Sequence, residues 1–281
     1  MKSARILILT LLAMIAFASN SLLCRAALKQ TSIDAATFTF VRMFSGAATL
    51  WLIMKLRKGA WKEEGSWSSA LALFIYAAAF SFAYLDLSAG TGALLLFGAV
   101  QATMILWGFR KGERLDAIQM VGVIVAVTGL VVLMFPGFSA PPLVGSILMV
   151  GAGVAWGIYS LRGKGEKNPA SVTAGNFIRA VPFAAAVSII FVPWVSFDLD
   201  GVGYAIISGA ITSGLGYVIW YSALPGLKAA SAATVQLSVP VLAATGGILL
   251  LGEPLTLRYL IASIAILGGI ALVMLEKSRT L

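Results

Sequence analysis

Histidine is absent from the 281-residue sequence, and cysteine occurs once, at Cys24. The first absence excludes histidine-ligated zinc sites, histidine bases and histidine proton relays, and the second excludes internal disulfides and cysteine-rich metal sites. Charged side chains are also scarce, at 11% of the residues, whereas soluble domains contain about a quarter. We therefore expect no metal, no other cofactor and no soluble globular fold.

Apolar residues take the place of the missing charges, since 60% of the chain is hydrophobic and the mean hydropathy is +0.97. Ten apolar runs of about 20 residues are each long enough to cross a hydrocarbon core about 30 Å thick. They lie at about 5–26, 35–54, 68–87, 90–109, 116–135, 142–161, 171–193, 202–222, 230–250 and 257–275. The sequence therefore predicts an all-α integral membrane protein with ten transmembrane helices in the lipid bilayer.

Lysine and arginine are distributed unevenly among the connections. Most of the twenty lie at the two termini or in alternate loops, namely Lys2, Arg5, Lys55, Arg57, Lys58, Lys62, Arg110, Lys111, Arg114, Arg162, Lys164, Lys167, Lys228, Lys277 and Arg279. Because positively charged loops stay in the cytoplasm, both termini are predicted to be cytoplasmic. The net charge of +9 is then a signal of topology, and we expect no nucleic-acid partner.

The second half of the chain repeats the first. GEPLTLRYL at 252–260 resembles GERLDAIQM at 112–120, AWGIYSL at 155–161 resembles AFASNSL at 16–22, and FIR ending at Arg179 resembles FVR ending at Arg42. The repeat divides the chain into residues 1–137 and 138–281, with five predicted spans each. Because five is odd, the second half must enter the membrane from the opposite side, as in the inverted repeats of many secondary transporters.

The first segment also has the features of a cleavable signal peptide, because Lys2 and Arg5 precede an apolar stretch that ends in small residues. The repeat argues against cleavage, since this segment has a counterpart in the second half and its removal would leave nine spans. We therefore interpret it as the first transmembrane helix.

The two-fold five-helix repeat, FASN in the first span, AWG in the sixth and the Gly–Glu turns before spans five and ten resemble the drug/metabolite transporter superfamily, specifically its ten-helix EamA branch. The resemblance covers essentially the whole chain. It implies a multi-pass carrier of the inner membrane, and many members export amino acids, related metabolites or drugs. Phe17 stands where the family usually has Trp, and Val100 followed by Gln101 stands where it tends to have Pro, while Pro240 fits the pattern.

Two arginines lie inside predicted spans, Arg42 and Arg179, at equivalent places in the two halves. Since charges at depth are costly, they must face the protein interior or a wet cavity. One interpretation is a pair of cationic steps for a substrate carboxylate. The other is that each arginine snorkels or ties helix ends to backbone carbonyls.

Aromatic and amide side chains form the other candidates for substrate binding. Tyr76, Phe80 and Tyr84 share one helical face, and Ser213, Tyr217 and Tyr221 repeat that spacing in the second half. The remaining candidates are Phe17, Asn20, Gln101, Trp156, Tyr159, Gln236 and Ser238. A cavity wall and ordinary helix packing both explain such patterns, because buried amides need partners either across a helix interface or on a ligand.

Acidic residues are missing from the depth of every predicted span, and Asp86 lies at the end of the third. This pattern indicates facilitative or weakly coupled transport, because no membrane-embedded proton carrier is available. Glu113 and Glu253 each follow a glycine and precede a helix start. We interpret both as turn residues that favour the positive end of a helix dipole.

The predicted function is an inner-membrane secondary transporter that exports amino acids or related small metabolites by alternating access around a midplane cavity. Export of drugs or other organic solutes and a solute channel are the alternatives. An enzyme is not expected, since a membrane hydrolase needs paired catalytic groups at depth. The expected partners are a small-molecule substrate and lipid, and a monomer is expected.

Overall fold

The structure, a computed structural model, describes residues 2–56, 64–112, 114–135, 140–164, 166–227 and 235–277. Within these ranges all regular structure is helical. Glu113 and the first residues of the ninth predicted span lie outside the described residues. The prediction of an all-α protein is confirmed for the part of the chain that is described.

The helices of the first half and the start of the second are long. They are α1 Lys2–Gln30, α2 Ala35–Leu56, α3 Trp67–Ala83, α4 Ala89–Arg110, α5 Ala117–Met134, α6 Leu143–Gly163 and α7 Pro169–Ile190. A continuous rod, Leu199–Gly226, follows. It comprises α8 Leu199–Ile207, a π-helical segment Ser208–Leu215, α9 Gly216–Ala223 and a short 3-10 turn, and the described chain then continues into α10 Ser238–Leu251 and α11 Leu257–Lys277.

Seven of the described helices are long and apolar enough to cross a membrane, as judged by length and composition. They are α1, α2, α4, α5, α6, α7 and the rod Leu199–Gly226. Three shorter apolar helices, Trp67–Ala83, Ser238–Leu251 and Leu257–Val273, accompany them. Together they place the chain among multi-pass membrane proteins, and the count of ten spans stays a prediction.

The helices run back and forth between two ends of the bundle. At the first, end A, Arg162 at the end of α6 donates to Ser69 at the start of α3, with 2.9 Å between Nε and Oγ. At the opposite end, end B, Arg258 at the start of α11 donates to the carbonyl of Phe135, directly after α5. The basic residues Arg110, Lys111, Arg162 and Lys164 all lie at end A.

Loops from the two halves of the chain meet at end B and start two helices. Asp34 accepts from the backbone N–H groups of Ala36 and Thr37 at the start of α2, and also from Ser196. Asp198 accepts from Gly201 at the start of α8 and from Ser32. The Gly201 N–H is the main cause that lowers the pKa of the Asp198 carboxyl, because it stabilises the carboxylate.

Small residues let α5 and α11 approach closely. A Cβ at Gly122 would meet the carbonyl oxygen of Gly269 at 2.6 Å, and one at Gly129 would meet the Cβ of Ala265 at 2.7 Å. Outward positions on the same helices are large and apolar, with Ile124 58% exposed and Ile264 74% exposed. Without a hydrophobic drive between helices in lipid, such close packing supplies van der Waals contact and holds the pair together.

Candidate functional site

A cavity of about 340 Å³ lies among α1, α3, α4, α6 and α9. Its walls extend from Asn20 and Phe80 inside the bundle to Gly163 and Lys164 at end A. Ten of the residues predicted to bind substrate line it: Phe17, Asn20, Tyr76, Phe80, Gln101, Trp156, Tyr159, Tyr217, Tyr221 and Gln236. The structure therefore brings most of the candidates to one place, and their role in binding stays a prediction.

Trp156 lies at the centre of the aromatic wall. Its ring centroid is 4.8 Å from that of Tyr76, 5.2 Å from Tyr217 and 5.4 Å from Tyr159. Phe17 continues the wall across α1, with its centroid 5.7 Å from that of Tyr217. Rings at these separations attract one another and leave their remaining faces for an apolar or cationic group.

A polar cluster lies on the same wall and joins α1, α3 and the π-helical segment. The Asn20 amide nitrogen donates to the Tyr76 hydroxyl oxygen at 3.3 Å. The Asn20 amide oxygen accepts from the hydroxyls of Ser208 at 2.7 Å and Thr212 at 3.3 Å. Asn20, Ser208 and Thr212 are all buried, so these bonds satisfy polar atoms that would otherwise be costly at this depth.

Arg42 lies directly behind the wall and is only 2% exposed. Its Nη2 donates to the Tyr76 hydroxyl oxygen at 3.1 Å, and its guanidinium carbon is 4.9 Å from the centroid of the Phe80 ring. Within the described residues, the Nε and Nη1 atoms of Arg42 have no hydrogen-bond partner. A buried, incompletely paired cation is thus held against the two rings that face the cavity.

The structure does not bring Arg179, Tyr84 or Ser238 to the cavity lining. Arg179 donates from Nη1 to the carbonyls of Glu64 at 3.1 Å and Gly175 at 3.0 Å. Bonds to backbone carbonyls were one of the two interpretations of this arginine from the sequence. The Tyr84 hydroxyl donates to the carbonyl of Ala89, and the Ser238 hydroxyl donates to that of Val235. Each side chain is used locally, at or near a helix terminus, instead of facing the cavity.

Several cavity residues were missed by sequence reasoning. Trp220 lines the wall beside Phe17, and Thr212 reaches Asn20 from the π-helical segment together with Ser208. Hydroxyl residues four positions apart in an apolar span were the available signal for Ser208 and Thr212. Their partner in α1 could not be inferred, because it depends on how the two halves pack.

An ion pair closes the bundle at end B. Arg25 Nε lies 3.3 Å from Glu253 Oε1, and the Arg25 Nη1 donates to the carbonyls of Tyr84 and Leu85, each at 2.8 Å. Glu253 Oε2 accepts from the backbone N–H of Ala89 at 2.8 Å. We call these contacts the end-B tie, and it joins α1, the α3–α4 turn and the α10–α11 turn.

The end-B tie corrects the interpretation of Glu253 as a turn residue for its own helix. The side chain is 7% exposed and accepts from the first residue of α4, so it favours the positive end of a different helix dipole. Gly252 before it adopts φ 63°, a left-handed conformation that glycine allows without strain. Among the described residues, no group of three acidic or cysteine side chains lies together as a metal site.

Comparisons with known proteins find a family model and several relatives of similar sequence. A model of the EamA-like transporter family matches residues 4–135 and 143–275. The chain is 56% identical to an uncharacterized protein of Pseudomonas aeruginosa, over 99% of this chain and 97% of that protein. It is 34% identical to the threonine/homoserine exporter RhtA of Escherichia coli, over 54% of this chain and 53% of that protein.

Several solved structures match, and one crystal structure illustrates the shared fold. It superposes on 99% of both chains with a TM-score of 0.67, at 18% sequence identity. At that identity the likeness concerns the fold alone. The family match covers most of the chain in two consecutive pieces, and it confirms the resemblance drawn from the repeated motifs.

Proposed function

Because this chain belongs to the EamA-like transporter family and is a multi-pass membrane transporter, we propose that it exports amino acids or related small metabolites. The observation that carries the proposal is the cavity of about 340 Å³, whose aromatic wall combines side chains from α1 and α3 with others from α6 and α9. A cavity of that size suits a small solute, and its few polar groups suit recognition of one orientation. The name of the relative RhtA supports an amino-acid substrate.

We infer that residues 1–137 and 138–281 act as two inverted five-helix repeats with both termini in the cytoplasm. Three observations support this. The family model matches once in each half. The contact of α3 with α6 has a counterpart in the contact of α1 with the rod that includes α9, and α2 packs on its equivalent α7. The described basic residues of the helix ends lie mainly at end A, which we assign to the cytoplasmic face of the inner membrane.

Alternating access follows from this arrangement. The cavity extends to end A, while the end-B tie holds α1 of the first half to the α10–α11 turn of the second. The described conformation therefore corresponds to a state that loads solute from the cytoplasm. Rocking of one half against the other would break the tie and expose the cavity to end B.

The proposal is tested by counterflow in proteoliposomes. Purified protein is reconstituted with an internal amino-acid load, and uptake of the same labelled compound is followed across a panel that includes threonine, homoserine, phenylalanine and a lipophilic cation. We expect saturable exchange of one or more amino acids. Flux that never saturates and shows no counterflow would indicate a channel, and exchange of the lipophilic cation alone would indicate a drug exporter.

The coupling of transport is part of the same proposal. In the described residues the one ion pair, Arg25–Glu253, lies at end B, opposite the open end of the cavity, and neither residue lines the cavity. We therefore expect the substrate gradient to drive transport. Accumulation against that gradient only when a pH difference is imposed would contradict facilitative transport.

A further inference from the structure

We propose that the Tyr76 hydroxyl, backed by the buried charge of Arg42, is the subsite for a substrate carboxylate, and that Gln101 accepts the substrate ammonium group. The inference rests on the proposed function, and it specifies how the cavity would orient an α-amino acid. It comes from the polar atoms that the fold leaves without partners.

The direction of the hydrogen bonds decides the chemistry at Tyr76. Its oxygen accepts from Arg42 Nη2 at 3.1 Å and from Asn20 Nδ2 at 3.3 Å. Both lone pairs of the hydroxyl are then used, so its own hydrogen must be donated elsewhere. Tyr76 lines the cavity, and no acceptor for this hydrogen lies among the described residues. The hydroxyl therefore offers a donor to whatever occupies the cavity.

Asn20 holds this arrangement in place. Its amide oxygen accepts from Ser208 and Thr212, which turns its nitrogen toward Tyr76. With the amide reversed, its oxygen would accept the Tyr76 hydrogen, and the hydroxyl could no longer donate to a ligand. The proposed subsite therefore requires the amide orientation that Ser208 and Thr212 favour.

The charge of Arg42 favours an anion as the acceptor of the Tyr76 hydrogen. It is 2% exposed, its Nε and Nη1 have no hydrogen-bond partner in the described part of the chain, and the Phe80 and Tyr76 rings cover it. A charge buried in this way is costly without a counter-charge, and cation–π contact offsets only part of the cost. A carboxylate on the Tyr76 hydroxyl would supply the missing negative charge and a charge-assisted hydrogen bond.

Gln101 supplies the opposite polarity. Its Oε1 is buried and has no donor among the described residues, although the side chain lines the same cavity. A substrate that carries both a carboxylate and an ammonium group offers an acceptor to the Tyr76 hydroxyl and a donor to Gln101 Oε1. A zwitterionic amino acid meets that requirement, whereas a lipophilic cation leaves Arg42 uncompensated.

The test compares acids with their amides on purified protein. Apparent dissociation constants for L-threonine, L-phenylalanine and their carboxamides are obtained from the ligand-dependent rise in melting temperature. We expect the acids to bind at least about tenfold more tightly than the amides, since a hydrogen bond to a charged group is worth that factor or more. Tyr76→Phe should reduce this preference about tenfold.

Two further variants make the test specific. Asn20→Asp places a carboxylate on the same hydroxyl, so it should compete internally and abolish the preference for acids. Tyr84→Phe removes a hydroxyl two helical turns away that donates to the Ala89 carbonyl and does not line the cavity, so it should keep the wild-type preference. Gln101→Leu should weaken binding of the free acids relative to their N-acetyl derivatives.

The outcomes separate this inference from the proposed function, because binding and flux are measured independently. Amides that stabilise the wild type as strongly as the acids would overturn the carboxylate subsite and leave transport standing. Acids that bind with the expected preference but show no counterflow would support the subsite and overturn the proposed transport. An unchanged preference in both Tyr76→Phe and Asn20→Asp would overturn the assignment of the subsite to Tyr76.

Discussion

Gly209 shows how closely single residues determine the packing around the polar cluster. It lies in the π-helical segment where this segment crosses α2, and a Cβ there would collide with the carbonyl oxygen of Arg42 and the hydroxyl of Ser45. The backbone of Arg42 cannot move aside without moving the side chain behind Tyr76. A side chain at position 209 therefore fits only if the π-helical segment and α2 move apart.

We expect Gly209→Ala to destabilise the protein by about 1–3 kcal/mol, as is typical of overpacking. Thermal unfolding in detergent measures the effect as a lower melting temperature. Gly203→Ala is the matched control on the same rod, because nothing lies within 4 Å of a Cβ at that position. Equal melting temperatures for the two variants would show that the space between the π-helical segment and α2 accommodates a methyl group at position 209.

Trp156 is the residue whose removal should affect the aromatic wall most. Its ring contacts those of Tyr76, Tyr159 and Tyr217, and such contacts are worth about 0.5–1.5 kcal/mol each. We expect Trp156→Ala to raise the KM of a transported amino acid about tenfold or more in the counterflow assay. Trp194→Ala, at a tryptophan that is 69% exposed at end B, should leave KM unchanged.

The two arginines show what sequence patterns can and cannot predict at this scale. The repeat predicts that Arg42 and Arg179 occupy equivalent positions, and the structure gives the two side chains different partners. Arg42 is enclosed by α2 and α3, whereas Arg179 reaches backbone carbonyls at end A. Equivalent sequence positions face different surroundings, because the loop that carries Glu64 lies beside only one of them.

Among elements, the end-B tie connects helix α1 to the α3–α4 turn and the α10–α11 turn. Glu253 binds the guanidinium of Arg25 and the N–H of Ala89 with different oxygens. Glu253→Gln keeps an acceptor for Ala89 and removes the charge, so it weakens the link between α1 and the α10–α11 turn. Without the Glu253 charge, the largely buried guanidinium of Arg25 is uncompensated, which destabilises the closed state. That state should therefore become less populated.

We therefore expect Glu253→Gln to shift the protein toward opening at end B. The measurement is the rate at which a membrane-impermeant thiol reagent, added from end B, labels a cysteine at Ser21 in a Cys24→Ala background. Ser21 is 1% exposed at present and lines the cavity, so labelling reports opening. The same cysteine with Glu253 intact is the control, and equal rates would show that the tie does not hold end B closed.

Sequence patterns placed Glu253 correctly at a turn but could not identify its partners. A helix start is predicted from residues that are neighbours along the chain, and Gly252 and Pro254 predict a turn on that basis. Arg25 and Ala89 are far away in sequence and reach Glu253 only after the halves pack together. Hydropathy, by contrast, located the long described helices, because the bilayer imposes length and apolarity locally.

For the molecule as a whole, the alternation of ends makes a direct prediction about topology. Lys111 follows α4 at end A, and Asp200 lies at the start of α8 at end B; both are exposed. We expect single cysteines at these two positions, in the Cys24→Ala background, to label from opposite sides of the membrane. The Lys111 position should label only after the cells are permeabilised, and labelling of both from outside would contradict the inverted arrangement.

The π-helical segment Ser208–Leu215 has a consequence for how the rod can move. If this segment became an ordinary α-helix, the register of α9 would shift by one residue. That shift is a rotation of about 100° around the helix axis. Tyr217 and Trp220 would then swing away from Phe17, while Ser208 and α8 kept their place. The register set by the π-helical segment therefore determines which side chains of α9 face Phe17.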